Sequence, residues 1–177
     1  MTTIRPVRGD DLFRLNVTNL DPLTENYNLS FYFTYFSHWP DLFQVCESIS
    51  GKIMGYFMGK SEAKHSPQDW HGHVTALTVT PEFRRIGLAS QMMQTLEDIC
   101  ERKRCYYIDL FVRVSNEIAV DMYKSFGYVV YRTVLEYYSG AKGPDENAYD
   151  MRKALSRDTA KKSMIPLPRP VTADEVT

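Results

Sequence analysis

Between Ala89 and Cys100 apolar residues recur at three- and four-residue spacings. Ala89, Met92, Met93, Leu96, Ile99 and Cys100 all fall on one face of a helix. This is the longest helix the sequence predicts, and its flanks constrain it further. Residues 72–79 before it read as a strand, ended by Pro81. Residues 106–112 after it read as a strand with apolar residues on both faces, as in the middle of a sheet. A one-sided helix between two such strands covers a sheet, which makes the chain a layered α/β domain.

The remaining segments fit that class. Residues 3–7 read as a strand. Asp10 and Asp11 open a helical stretch with Leu12, Phe13, Leu15 and Leu20, and Asp21-Pro22 breaks it. A second helix is expected over residues 29–37. Strands follow over 43–48 and 52–59 around a Ser50-Gly51 turn, and then a loop over 60–70. Ser115 is the expected N-cap of a later helix, Gly127 its C-terminal cap, and Ile118, Ala119, Met122 and Phe126 its buried side. Residues 128–138 and 147–154 read as the last strands, around a Gly- and Pro-containing loop. Beyond residue 155 the periodicity dissolves. The prolines at 166, 168 and 170 exclude regular helix or sheet there. The expected organisation is one domain over 1–155 and an extended Pro-containing tail over 156–177.

Composition excludes several functions. The chain of 177 residues carries a formal net charge of −1, so nothing draws it as a whole to nucleic acid or anionic lipid. It has no apolar run of membrane-spanning length. Arg5, Arg8, Asp10 and Asp11 follow its start too soon for a signal peptide. Three cysteines cannot all pair, which points to reduced thiols and a cytoplasmic location. His71 and His73 would share a strand face, but no third ligand of suitable spacing accompanies them, so no metal is expected.

The chemistry lies at the start of the long helix. Arg84-Arg85-Ile86-Gly87-Leu88-Ala89 joins strand to helix. A helix N-terminus offers unpaired N–H groups and a positive dipole end, suited to a pyrophosphate. Gly87 has no side chain to hold an anion off, Ala89 adds little bulk, and Arg84 and Arg85 add charge. The six residues match R-x-x-G-x-A, a pattern of the GCN5-related acetyltransferase (GNAT) superfamily, which the chain resembles.

The resemblance narrows to the N-terminal acetyltransferase branch through residues 23–27 (Leu-Thr-Glu-Asn-Tyr), 110–116 (Leu-Phe-Val-Arg-Val-Ser-Asn), Ala119, Met122-Tyr123, Gly127-Tyr128 and Tyr137-Tyr138. Residues 70–77, 154–158 and 165–168 resemble the NatB-type catalytic subunits. Met122 departs from the pattern, where many relatives carry Leu, a swap that conserves volume.

The resemblance implies a GNAT fold, a twisted mixed sheet with flanking helices, splayed between the strands at 72–79 and 106–112. Acetyl-coenzyme A enters the splay from one side and the peptide from the other. It implies that Leu77, Val79 and residues Arg84, Arg85, Ile86, Gly87, Leu88 and Ala89 bind the cosubstrate, and that backbone N–H near Val79 polarises the acetyl carbonyl. Tyr123 would assist the departing thiolate. Glu25, Tyr27, Tyr137, Tyr138 and Gly140 would hold the peptide. His73, Thr75 and Asn116 would offer donors to its second residue, and Leu23, Tyr27 and Phe111 an apolar pocket to its methionine. The amine's proton acceptor stays open among His73, Glu25 and Tyr137. The implied substrates are nascent polypeptide N-termini beginning Met-Asp, Met-Glu, Met-Asn or Met-Gln. The alternatives are lysine or small-molecule acetylation and a non-catalytic binding subunit.

Phe31, Tyr32, Phe33, Tyr35, Phe36 and Trp39 crowd the second helical stretch and cover more than half its circumference. One core is not expected to bury them all, so part of this helix should face a partner. The resemblance makes that partner a large auxiliary subunit of helical repeats, through which the chain reaches the ribosome.

Overall fold

The computed structural model describes residues 2–20, 24–64, 66–139 and 145–176. The expected break at Asp21-Pro22, the pocket candidate Leu23 and the groove candidate Gly140 lie outside the described residues. The chain divides into two compact units, residues 1–62 with 73–103, and residues 63–72 with 104–177.

The first unit contains strands β1 (Thr2–Pro6), β2 (Phe43–Ser48), β3 (Ile53–Glu62) and most of β4 (His71–Val79), side by side in that order. β1 and β2, and β2 and β3, are antiparallel. Helix α1 (Leu29–His38) is capped by Asn28, whose side chain accepts the Phe31 N–H at 2.9 Å. Helix α2 (Leu88–Arg102) buries Met92, Met93, Leu96, Ile99 and Cys100, the face the spacing predicts. Gly55 and Gly59 let α2 and β4 come close to β3. A Cβ at Gly55 would stand 2.5 Å from the Thr78 carbonyl oxygen and 3.3 Å from Met92 Cε. One at Gly59 would stand 2.7 Å from the His73 carbonyl oxygen.

The helix expected from Asp10 is instead two 3-10 segments, Asp11–Phe13 and Leu15–Leu20. The reason is local. Asp11 is buried and turns inward, its carboxylate accepting bonds from Arg5 at 2.6 Å and from the Arg8 N–H at 2.9 Å. Phe13 is left 69% exposed, so the apolar spacing does not form one helical face.

The second unit contains β5 (Tyr107–Arg113), helix α3 (Glu117–Ser125), β6 (Val129–Tyr138), β7 (Glu146–Ala154) and β8 (Val171–Thr172). Here the order is β5-β7-β6-β8. β7 is antiparallel to both neighbours, and β8 runs parallel to β6. The tail is therefore not wholly irregular. Asp158 accepts the Lys162 and Ser163 N–H groups and anchors a 3-10 turn at Lys162–Met164. Val171 and Val176 are buried with Val134 and Ala148. Burial of two valines outweighs the absence of a periodic pattern.

Two expectations for α3 are corrected. Its N-cap is Asn116, not Ser115: the Asn116 Oδ1 accepts the Ala119 N–H at 3.3 Å. Ile118 is 79% exposed, and Val120 and Tyr123 are the buried residues. A cap one residue later places Ile118 in the first turn, facing out.

Candidate functional site

The predicted residues form two groups, one in each unit. In the first unit, α2 opens at Gly87, whose φ of +86° is a conformation that favours glycine. Arg85, with φ of +66°, is also left-handed. Gly87 provides no side-chain cap, and the first turn of α2 carries no acidic residue. The first intrahelical bond runs from the Gln91 N–H to the Gly87 carbonyl, so the turn before it presents its N–H groups outward. A Cβ at Gly87 would meet nothing within 4 Å. The arrangement fits a pyrophosphate on the helix N-terminus. Arg84, Arg85 and Ile86 are exposed, Leu88 is buried and Ala89 half-buried. The Arg84 Nε donates to the Val79 carbonyl at 3.0 Å, tying the motif to the end of β4.

On β4, His73, Thr75, Leu77 and Val79 are half-buried, whereas Val74, Thr78 and Thr80 are buried. The first four alternate and share a side. The Thr75 hydroxyl donates to the Tyr35 hydroxyl at 2.8 Å. It is thus already engaged, and any contact of Thr75 with a peptide uses its acceptor side. Burial raises the Tyr35 pKa above its usual value, so this pair stays neutral at physiological pH.

Tyr27 leans on Phe31 (ring centroids 4.3 Å apart, 15° between planes), and its hydroxyl donates to the Thr75 carbonyl at 3.5 Å. Glu25 beside it is exposed. Asn19, which sequence reasoning missed, braces this loop. It accepts from the buried Tyr56 hydroxyl at 2.8 Å and donates to Tyr32 at 3.1 Å, and its carbonyl accepts from Asn26 at 3.3 Å. A lone Asn in a predicted helix gave no signal for that role. The crowded aromatics of α1 are mostly absorbed. Tyr32 and Tyr35 are buried and Phe31, Phe36 and Trp39 pack on the same core, while Phe33 is 42% and Leu29 45% exposed.

In the second unit, Tyr123 is buried and lies edge-on to Tyr128, centroids 5.9 Å apart. Burial pushes its phenol well above the usual value. Its carbonyl is held by the Tyr128 and Phe126 N–H groups, but among the described residues its hydroxyl has no hydrogen-bond partner. Tyr137 packs on Phe111 at 4.6 Å. Tyr138 donates its hydroxyl to the Phe111 carbonyl at 3.1 Å, under the Arg113 guanidinium at 4.2 Å. Half-buried Asn116 spends its side-chain oxygen on the α3 cap, leaving its NH₂ as the donor.

A polar cavity of about 350 Å³ in the second unit, bordered by His71, Tyr107, Arg132 and Arg152, carries its own countercharges. Asp150, fully buried, accepts from Arg132 at 2.8 Å and Arg152 at 3.3 Å. Among the described residues no group of three or more His, Cys, Asp or Glu side chains is placed to hold a metal ion.

The acetyltransferase (GNAT) family model matches residues 12–128. The N-terminal acetyltransferase B complex catalytic subunit NAA20 of Arabidopsis thaliana is 54% identical over 99% of this chain and 98% of its own length. N-alpha-acetyltransferase 20 of Dictyostelium discoideum is 56% identical over 97% of this chain and 96% of its own. Among solved structures, Chaetomium thermophilum Naa20 in complex with a bisubstrate analogue superposes with a TM-score of 0.92 at 41% identity, covering 99% of each chain. A NatB acetyltransferase complex bound to a bisubstrate inhibitor has a chain that matches with a TM-score of 0.84 at 40% identity, again over 99% of each.

Proposed function

The chain belongs to the acetyltransferase (GNAT) family, and from that premise we propose that it modifies protein N-termini beginning Met-Asp, Met-Glu, Met-Asn or Met-Gln. It is an N-α-acetyltransferase that takes its acetyl group from acetyl-coenzyme A, of the kind that forms the catalytic subunit of NatB. The observation that carries the reading is near-full-length identity above 50% to two such enzymes, with the glycine-opened α2 intact.

Each half supplies a part of the proposed chemistry. The first turn of α2 holds the pyrophosphate, with Leu77 and Val79 along the acetyl-bearing arm. The Val79 backbone donates to the acetyl carbonyl as charge develops on its oxygen. A peptide α-amine has a pKa of about 7.7–8.0, so a useful fraction is neutral near pH 7 and its last proton needs only a weak acceptor. Attack forms the amide and expels the coenzyme A thiolate, towards which the Tyr123 hydroxyl donates. Two donors are proposed for the oxygen of the second residue, the ring N–H of His73 in the first unit and the Asn116 amide in the second, with Thr75 as an acceptor on the His73 face of β4. Glu25, Tyr27, Tyr137 and Tyr138 line the way for the first residues, and Tyr27 and Phe111 accept the methionine.

The chain is proposed to work as a heterodimer with a large helical-repeat subunit that brings it to ribosomes in the cytoplasm. Exposed Phe33 and Leu29 on α1 are the surface offered to that partner. Among the described residues no helix is long and apolar enough to cross a membrane.

The test is a panel of peptides varied in their first two residues, with an internal-lysine peptide beside them. Release of coenzyme A concentrated on Met-Asp, Met-Glu, Met-Asn and Met-Gln is expected. Equal turnover of Met-Leu, or preference for internal lysine, would refute the specificity. His73→Ala should narrow the Met-Asp over Met-Leu ratio of kcat/KM, because an unpaired buried donor costs about 1–3 kcal/mol. An unchanged ratio would remove His73 from second-residue recognition.

A further inference from the structure

β6 does not run straight into the segment that carries Tyr137 and Tyr138. Val134 pairs with Ala148 and Tyr138 with Glu146, so β6 spends four residues where β7 spends two. Glu136, inside this bulge, has φ of +50°, a strained conformation for a residue with a side chain. The regular ladder is interrupted there and resumes at Tyr138, and side-chain ties reinforce the irregular stretch.

Those ties converge on the start of β7. Glu146 Oε1 accepts the Ser115 N–H at 2.9 Å, and Oε2 accepts from Arg113 Nη1 at 3.1 Å. The same guanidinium covers the Tyr138 ring, whose hydroxyl is bonded to the Phe111 carbonyl. Asn147 continues the arrangement. Its side-chain oxygen accepts the Glu136 N–H at 2.9 Å, and its carbonyl accepts the Val114 N–H at 3.2 Å.

We infer that Glu146 is a positioning residue for peptide recognition: its carboxylate locks the bulge that presents Tyr137 and Tyr138 to the turn that opens α3. This rests on the reading of these tyrosines as peptide-holding residues. The direct partners of Glu146, Ser115 and Arg113, adjoin Asn116 and Tyr138, both assigned to the peptide, so its first effect is expected on peptide binding. Hydrogen bonds from Ser115, then Arg113, hold its carboxyl below the usual range, so the clamp is closed throughout the neutral pH region.

The test uses the full chain together with whatever subunit co-purifies with it. For Glu146→Ala, KM for a Met-Asp peptide should rise roughly five- to thirtyfold, while kcat and KM for acetyl-coenzyme A stay within twofold. Glu146→Gln keeps an oxygen for the Ser115 N–H and should show a smaller rise. A peptide KM within twofold of wild type, or equal rises for both substrates, would overturn the inference. A wild-type protein inert towards every N-terminal peptide would overturn the underlying reading as well. An active wild type with unaltered variants would overturn the positioning role alone. Hydrogen exchange serves even for a destabilised variant. Faster exchange confined to residues 113–116, 136–138 and 146–147 is expected, and faster exchange throughout would mean that Glu146 acts only on the fold.

Discussion

Gly55→Ala tests how β3 fixes the end of β4. A methyl there would sit 2.5 Å from the Thr78 carbonyl oxygen and 3.2 Å from the Val79 Cα. Both are backbone atoms, so no rotamer change relieves the overlap. Restoring van der Waals contact requires the two strands to part by roughly 0.5–1 Å. Overpacking of this kind costs about 1–3 kcal/mol. For a protein of this size that lowers Tm by roughly 3–10 °C. The displacement falls at Thr78 and Val79, where a backbone N–H is proposed to meet the acetyl oxygen. A misplacement near 1 Å can cost about a hundredfold in rate, so kcat should fall by at least about tenfold.

The assay pairs thermal unfolding with steady-state kinetics. Gly59→Ala is the comparison, since its methyl would strike the His73 carbonyl oxygen at 2.7 Å, further along β4. It should lose similar stability but raise the peptide KM more than it lowers kcat. Gly9→Ala is the control, because nothing lies within 4 Å of a Cβ there. A Gly55→Ala protein with Tm within 1 °C of wild type and kcat within twofold would refute the reasoning.

Tyr123→Phe should lower kcat by about 10²–10⁴-fold with little change in KM for acetyl-coenzyme A, read from initial rates; a kcat within twofold would remove the hydroxyl from the chemistry. Asp11→Asn should cost about 1–3 kcal/mol in urea unfolding, because the buried carboxylate serves Arg5, Arg14 and the Arg8 N–H. The folded-state pKa of Asp11 is lowered despite its burial. Its contribution is therefore present above the ordinary carboxylate value of about 3.9 and lost as pH falls through the lower folded value. The variant should show a shallower loss of stability in acid, and an unchanged slope would count against the network. If the chain assembles with the proposed auxiliary subunit, Phe33→Asp should release that subunit in size-exclusion chromatography while leaving Tm within about 1 °C, since Phe33 is already 42% exposed; retention of the complex would place the interface elsewhere.

The parts of the molecule legible in the sequence are those governed by local periodicity. The buried face of α2 is spelled out by Met92, Met93, Leu96, Ile99 and Cys100. The motif from Arg84 to Ala89 announces itself because a left-handed Gly87 is needed where the helix opens. Tertiary contacts decided the rest. The segment after Asp10 looked helical because Leu12 and Leu15 are apolar, yet both are buried from a 3-10 path set by the Asp11–Arg5 pair. The α1 aromatics looked too many for one core, yet stacking of Tyr27 on Phe31 and packing of Trp39 absorb most of them. Asn19 and Glu146 carry no local signal for their roles, because the buried Tyr56 that Asn19 accepts from stands 37 residues away and the partners of Glu146 stand 31 and 33 residues away.

The direction of the Tyr123 shift constrains its proposed part in the reaction. A phenol raised above its usual pKa stays protonated at every pH where the protein works, so it is an acid or a donor, never the base that accepts the amine proton. A thiol in water titrates near 8.5, below such a phenol, and full proton transfer to a solvated thiolate would run uphill. Burial alters the balance, since a thiolate leaving into the same low-dielectric surroundings would be raised as well. The two pKa values then approach each other as the carbon–sulfur bond lengthens, and the hydrogen bond strengthens with the charge that develops. Tyr123 on this argument acts on the transition state more than on bound acetyl-coenzyme A. Its removal should therefore appear in kcat and spare cosubstrate affinity. The acceptor of the amine proton must therefore be another group, and His73, Glu25 and Tyr137 remain the proposed candidates.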